Sequence, residues 1–187
     1  MASQQELTEK TALGLGFKDA GTQEFKAGNY EKALKEYNYA LLHLRGLNDT
    51  PMSVGQSRDP ENMKEEDITD LERDLSIINS NMAMCQMRLE RYDRITRCAN
   101  EALKFNPFNK KAKFKLAQGL VREGSILKAA KILDELAVDM PGDAAIAAER
   151  RNIQALERSA EAKQRKEFSG MFDRSKQAES SPEAGSS

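Results

Sequence analysis

Five polar residues have the types and spacing to bind something. Lys18 and Thr22 stand four apart, as do Lys111 and Lys115, and on a helix that spacing puts each pair on one face. Asn81 lies between the two pairs in sequence and carries an amide with two donors and an acceptor, suited to an extended peptide backbone or a carboxylate. Three ammonium groups gathered around that amide make a cationic cradle for an acidic ligand. The plain alternative is a solvated, lysine-rich helix surface, since Lys110, Lys113 and Lys131 lie close by in sequence with no role assigned.

Covalent and metal chemistry have less to draw on. His43 is the single histidine and sits within Leu41-Leu42-His43-Leu44, where a packing role is expected. Cys85 and Cys98 are too few for a disulfide framework and lack the paired spacing of a zinc site, so both read as small buried hydrophobes in a reducing compartment. Gly14-Leu15-Gly16 with Gly21 follows no strand and fits neither dinucleotide nor phosphate-loop spacing. Glu65-Glu66-Asp67 lacks the glycine and ligand spacing of a calcium loop and reads as a solvated helix entry. No catalytic residue, cofactor or metal is therefore expected. The basic stretch from Lys163 to Lys166 is flanked by Glu161 and Glu167, as on an exposed charged helix.

The elements that must hold the five residues are helices in pairs. Ala83 recurs as Ala117, Ala102 as Leu136 and Pro107 as Pro141, each at a step of 34 residues, which is the length of one tetratricopeptide helix-turn-helix unit. Small Ala83 and Ala117 let antiparallel helices approach closely, and the prolines close each unit because proline cannot continue a helix. Phe17, Ala20, Gly21, Phe25, Ala33, Tyr37 and Ala40 repeat the pattern once more upstream. Gly21 to Ala83 is 62 residues, one 34-residue step plus an insertion of 28, so three units are expected with a long connection after the first.

Turn chemistry divides the chain accordingly. Helices are predicted over 6–27, 30–47, 69–89, 92–105, 109–123, 126–139 and 143–172. The stops fall at Gly28-Asn29, Gly124-Ser125 and Pro141-Gly142, and a capping box spans Thr69 and Glu72. Residues 1–9 form an N-terminal segment, 10–173 the repeat domain with a mobile insertion loop at 48–66, and 174–187 a disordered tail without apolar content. Ala33, Tyr37, Ala40, Leu41 and Leu44 share one face of the second helix, and Ile146, Ile153 and Leu156 line the seventh. The fold class is all-α, a right-handed superhelix of three helix pairs with a C-terminal capping helix covering the last apolar face. In such a stack the first helix of each pair lines the concave surface, which gathers Lys18, Thr22, Asn81, Lys111 and Lys115 there.

A formal net charge of -1 gives no support to nucleic-acid binding. No run of 18 apolar residues is present and Met1 to Lys10 is polar, so a cytoplasmic protein without membrane attachment is expected.

Asn81-Met82-Ala83-Met84-Cys85, followed by Tyr92, resembles the second repeat of immunophilin-type tetratricopeptide domains, and Gly170-Met171-Phe172 resembles the end of their last helix. Ala40-Leu41-Leu42-His43-Leu44-Arg45-Gly46-Leu47 and the insertion after it are similar to the tetratricopeptide repeat protein 9 family. The resemblance covers roughly residues 10–173. It implies a non-catalytic co-chaperone that grips the C-terminal Glu-Glu-Val-Asp tail of cytosolic heat-shock protein 90 or 70 with a dicarboxylate clamp. Lys18, Asn81 and Lys111 fall on three of the five clamp positions with the usual residue types. Thr22 stands where asparagine is common and Lys115 where arginine is common, which keeps a donor and a charge but loses the bidentate fork. The alternatives are a scaffold for a different peptide, without chaperone binding, and a prolyl isomerase. The latter needs a β-rich module that no segment of this chain supplies.

Overall fold

A computed structural model gives the fold of residues 4–48 and 63–179. Seven α-helices lie within those residues: α1 (Gln4–Lys26), α2 (Tyr30–Asn48), α3 (Asp70–Arg88), α4 (Tyr92–Phe105), α5 (Lys110–Arg122), α6 (Ile126–Asp139) and α7 (Ala144–Glu179). Most of the insertion expected at 48–66 lies outside the described residues. Of the remainder, Asn48 closes α2 and Glu65–Asp67 form a single 3-10 turn, with Asp67 Oδ2 accepting from the Lys64 backbone N–H at 2.9 Å. The acidic run is thus a turn of its own ahead of α3.

Helix starts are fixed by side chains that occupy orphan backbone donors. Thr69 accepts from the Glu72 N–H at 3.2 Å while Glu72 Oε2 accepts from the Thr69 N–H at 2.9 Å, the reciprocal pair expected from the sequence. Asn109 caps α5 through the Ala112 N–H at 3.0 Å. Helix ends inside the pairs share one geometry. Gly28, Glu90 and Gly124 all take positive φ (82°, 56° and 80°), and the residue after each donates back to a carbonyl five positions earlier: Asn29 to Glu24, Arg91 to Gln86 and Ser125 to Leu120. These are Schellman turns, in which the left-handed residue reverses the chain so the next helix folds back on the last. Glu90 does without glycine what Gly28 and Gly124 do with it.

Sequential packing follows. The helices α1 and α2, α3 and α4, and α5 and α6 lie against each other as pairs; α2 meets α3, α4 meets α5, and α3 also touches α1 and α5. Ala33, Tyr37, Ala40, Leu41 and Leu44 are buried as the α2 face predicted, joined by Leu75, Ile78, Met82 and Cys85 from α3. A second cluster of Ala83, Ile95 and Ala99 fills the α3–α4 contact, with Leu116 of α5 packed on it. Ala83 and Ala117, the repeated small residues, are fully buried. Cys85 is buried as expected. Cys98 departs from expectation in being only half-buried, because it sits at the seam between the two clusters.

Residues 1–141 and 142–187 form two separate compact units. The second is built on α7, whose start is capped by Asp143 Oδ1 accepting from the Ala145 and Ile146 N–H groups at 2.8 and 3.1 Å. The helix runs on past the expected end at Phe172, because residues 173–179 contain no glycine or proline to stop it. Residues 180–187 lie outside the described residues.

Candidate functional site

The helix α3 is touched by α1, α2, α4 and α5, so most of its circumference is buried, polar residues included. Asn79 donates to the Leu75 carbonyl at 2.8 Å, and Ser76 Oγ accepts from Asn109 Nδ2 at 2.8 Å, which ties the start of α5 to α3. Among its less buried residues, Asp74, Ile77, Asn81 and Met84 form a strip, spaced at i, i+3, i+7 and i+10 along one helix face. Asp74, Asn81 and Met84 are half-buried, and Ile77 is 44% exposed, a large apolar side chain open to solvent between two polar ones.

The strip meets α1 through an ion pair. Lys18 Nζ donates to Asp74 Oδ1 at 2.8 Å, with the two side chains only 22% and 24% exposed. One turn along, the Thr22 hydroxyl donates to the Lys18 carbonyl at 3.0 Å and lies 3.2 Å from the Tyr37 phenol oxygen. The Asn81 side chain lies close enough to the phenol to lower its pKa. Burial raises the Tyr37 pKa above the ordinary phenol value; the Thr22 and Asn81 side chains oppose that shift and nearby Cys85 reinforces it. Tyr37, itself buried, is thus the post on which Thr22 and Asn81 are aligned.

This alignment requires a glycine. A Cβ at Gly21 would lie 2.8 Å from Cδ1 and Cε1 of the Tyr37 ring, so only a residue without a side chain lets the ring pass beneath α1 to reach Thr22. The role filled by Ala83 and Ala117 in the later repeats therefore falls to a still smaller residue in the first.

The third helix of the row carries the remaining two candidates. Lys111 is exposed near the start of α5, and Lys115 is half-buried, donating to Gln118 Oε1 at 2.9 Å with its ammonium 5.2 Å from the centre of the Phe114 ring. Of the five candidates, Thr22 of α1 and Asn81 of α3 approach the Tyr37 phenol of α2, while Lys18, one turn before Thr22, pairs with Asp74 of α3. Lys111 and Lys115 sit on the neighbouring α5, held to α3 through Asn109 and Ser76.

Asp74 and Ile77 were not among the sequence candidates, and Tyr37 counted only as an apolar-face residue. The signal for the first two was present as their spacing from Asn81 on one helix face. The signal for Tyr37 was not, because its partners come from two other helices.

The arrangement is suited to non-covalent binding. The Cys85 thiol is pushed up to about 12 by burial, so it is held as a neutral thiol. His43 stacks on Phe17 at 5.4 Å between ring centres and 9° between planes, the packing role expected of it. Among the described residues no group of three or more His, Cys, Asp or Glu is placed to hold a metal ion, and no helix is long and apolar enough to cross a membrane.

No family model matches the chain. Its fold is that of tetratricopeptide (TPR) domains of known structure. The second TPR domain of human RPAP3, solved in complex with the HSP70 peptide SGPTIEEVD, superposes with a TM-score of 0.57 at 17% identity, covering 78% of this chain and 98% of that one. The C-terminal TPR-containing domain of a Plasmodium falciparum FK506-binding protein gives 0.66 at 20% identity, with 83% and 95% covered. The Hsp90 co-chaperone Cns1 from Saccharomyces cerevisiae gives 0.69 at 18%, with 89% of this chain and 46% of Cns1 covered. At these identities the likeness is one of fold. The described residues have the fold of a TPR domain, three helix pairs with a final helix following them in sequence.

Proposed function

We propose that this chain is a non-catalytic adaptor that binds the acidic Glu-Glu-Val-Asp tail of a cytosolic heat-shock protein, 90 or 70, on the face shared by α1, α3 and α5. The observation that supports the reading is that Lys18 of α1 pairs with Asp74 of α3 while Thr22 and Asn81 approach the same Tyr37 phenol, with Lys111 and Lys115 on α5, which packs against α3. Lys111 and Lys115 supply positive potential, Lys18 keeps N–H groups for a ligand beside its pair with Asp74, and Asn81 offers an amide to the peptide backbone or a carboxylate. Ile77, exposed between Asp74 and Asn81, offers apolar surface to the valine of such a tail. Human RPAP3 was solved with a peptide ending in these residues, and Cns1 is an Hsp90 co-chaperone, which supports the choice of ligand class.

The test is titration of fluorescently labelled Glu-Glu-Val-Asp peptides from each chaperone, against the same peptides with an amidated C-terminus. Lys111→Ala removes a charge-assisted contact worth roughly 1.5–3 kcal/mol, a loss of about 10- to 150-fold in affinity. Lys111 is exposed, so the helical circular-dichroism signal should be unchanged. Affinity should also fall as salt rises, since the capture is electrostatic. Equal binding of free-acid and amidated peptides would point instead to a scaffold for some other segment, because only a clamp needs the terminal carboxylate.

A further inference from the structure

We infer that Asp74 is an electrostatic brake on this face, a specificity-determining residue that weakens binding of densely acidic tails. The inference rests on the clamp reading above. Its starting point is the Lys18–Asp74 pair: the ammonium that would meet a ligand carboxylate already donates to Asp74 Oδ1 at 2.8 Å. Both side chains are largely shielded from water, at 22% and 24% exposed, so the screening that makes surface pairs negligible is reduced here. Asp74 also shares its helix face with Asn81, two turns or about 10 Å along the axis, so it lies on the face that would hold the peptide.

Two consequences follow for an incoming carboxylate. Lys18 has three N–H groups, so a ligand can bind it without displacing Asp74. The ligand then meets a neutral pair and a second carboxylate at close range. Like charges sharing a site repel, so each negative charge on the tail near α1 costs affinity that an unopposed lysine would have supplied. The face therefore favours tails whose residue opposite Lys18 is neutral over tails with a carboxylate there. Lys111, exposed on α5 and outside any ion pair among the described residues, keeps its full charge for the ligand.

The variant that isolates the charge is Asp74→Asn, which retains the side-chain oxygen that accepts from Lys18 and nearly the same volume. Wild type, Asp74→Asn, Lys18→Ala and the double variant are titrated with a Glu-Glu-Val-Asp peptide and with its Gln-Gln-Val-Asp counterpart. Asp74→Asn should tighten the Glu-Glu peptide by about 10-fold and the Gln-Gln peptide by less. The repulsion between Asp74 and the tail does not pass through Lys18, so the gain should persist in the Lys18→Ala background, and its loss there would overturn the brake. Unchanged or weaker binding by Asp74→Asn, while wild type binds and Lys111→Ala does not, would overturn the brake and leave the clamp standing. Absence of peptide binding in both wild type and Asp74→Asn would remove the clamp and the brake together. Thermal melts accompany each variant. If Asp74→Asn unfolds early, Asp74→Ser serves as the second charge-free variant under the same criteria.

Discussion

Replacing Glu90 by glycine should make this protein more stable. Glu90 closes α3 with φ of 56°, a left-handed conformation that brings Cβ of an L-residue close to the following carbonyl oxygen, at roughly 1–2 kcal/mol. Glycine escapes that cost but is freer in the unfolded chain, which returns about 0.4–1 kcal/mol. The net expectation is a gain of about 0.5–1 kcal/mol. The backbone bonds would not change, since Gly28 and Gly124 make the same pair of turn bonds in the first and third repeats. Nor would a buried contact be lost, because Glu90 is exposed. For a chain of this size the thermal midpoint should rise by roughly 1–4 °C, and the urea midpoint should move up with an unaltered slope. Two controls separate backbone from side chain. Glu90→Ala keeps the left-handed strain and should be near neutral, while Gly124→Ala introduces the same strain with the same unfolded-chain offset and should destabilise by about 0.5–1 kcal/mol. If Glu90→Gly were neutral or destabilising while Gly124→Ala behaved as expected, the positive φ at Glu90 would not be a strained conformation, and the equivalence of the three turns would be wrong.

Other outcomes can be stated more briefly. Gly21→Ala places a methyl 2.8 Å from the Tyr37 ring. Overpacking of about 1–3 kcal/mol should outweigh the roughly 1 kcal/mol that alanine gains in a helix, lowering the urea midpoint and altering the near-ultraviolet tyrosine signal. Thr69→Ala removes the α3 cap and should cost about 1 kcal/mol by the same denaturation assay. Cys85 and Cys98 both titrate above the ordinary thiol value of 9.0 in the fold, chiefly through burial, Cys85 at about 12. Raised pKa values favour the fold while the groups are protonated, so this stability is fully present below about pH 9 and is lost as pH rises towards 12, with Tyr37 acting in the same direction. Urea midpoints should therefore fall between pH 8.5 and pH 10.5 on a scale of order one unit. Cys85 should react with a thiol reagent at pH 8 only on unfolding; rapid modification in the native state would contradict its burial.

Much of this protein was written in local patterns. The 34-residue recurrence of Ala83 with Ala117 and of Pro107 with Pro141, the capping box at Thr69 and the glycines at 28 and 124 are short-range signals, and helices are built from short-range bonds. Helix boundaries accordingly fell within a few residues of expectation everywhere except the end of α7, where the sequence lacks a stop. The candidate residues were chosen from the same kind of signal: the i, i+4 spacing of Lys18 with Thr22 and of Lys111 with Lys115 is a property of one helix at a time.

What tertiary structure alone decided is which of those side chains are already engaged. Lys18 meets an aspartate 56 positions away, and Thr22 meets a buried phenol that Asn81 approaches from a third helix. A charge counted from sequence is a formal unit, whereas its field depends on what stands within a few ångströms in the folded chain. The repeat length and the turns set the helices in order. The pairing across them, which fixes how much of Lys18 is left for a ligand, emerged only when α1 came to lie against α3.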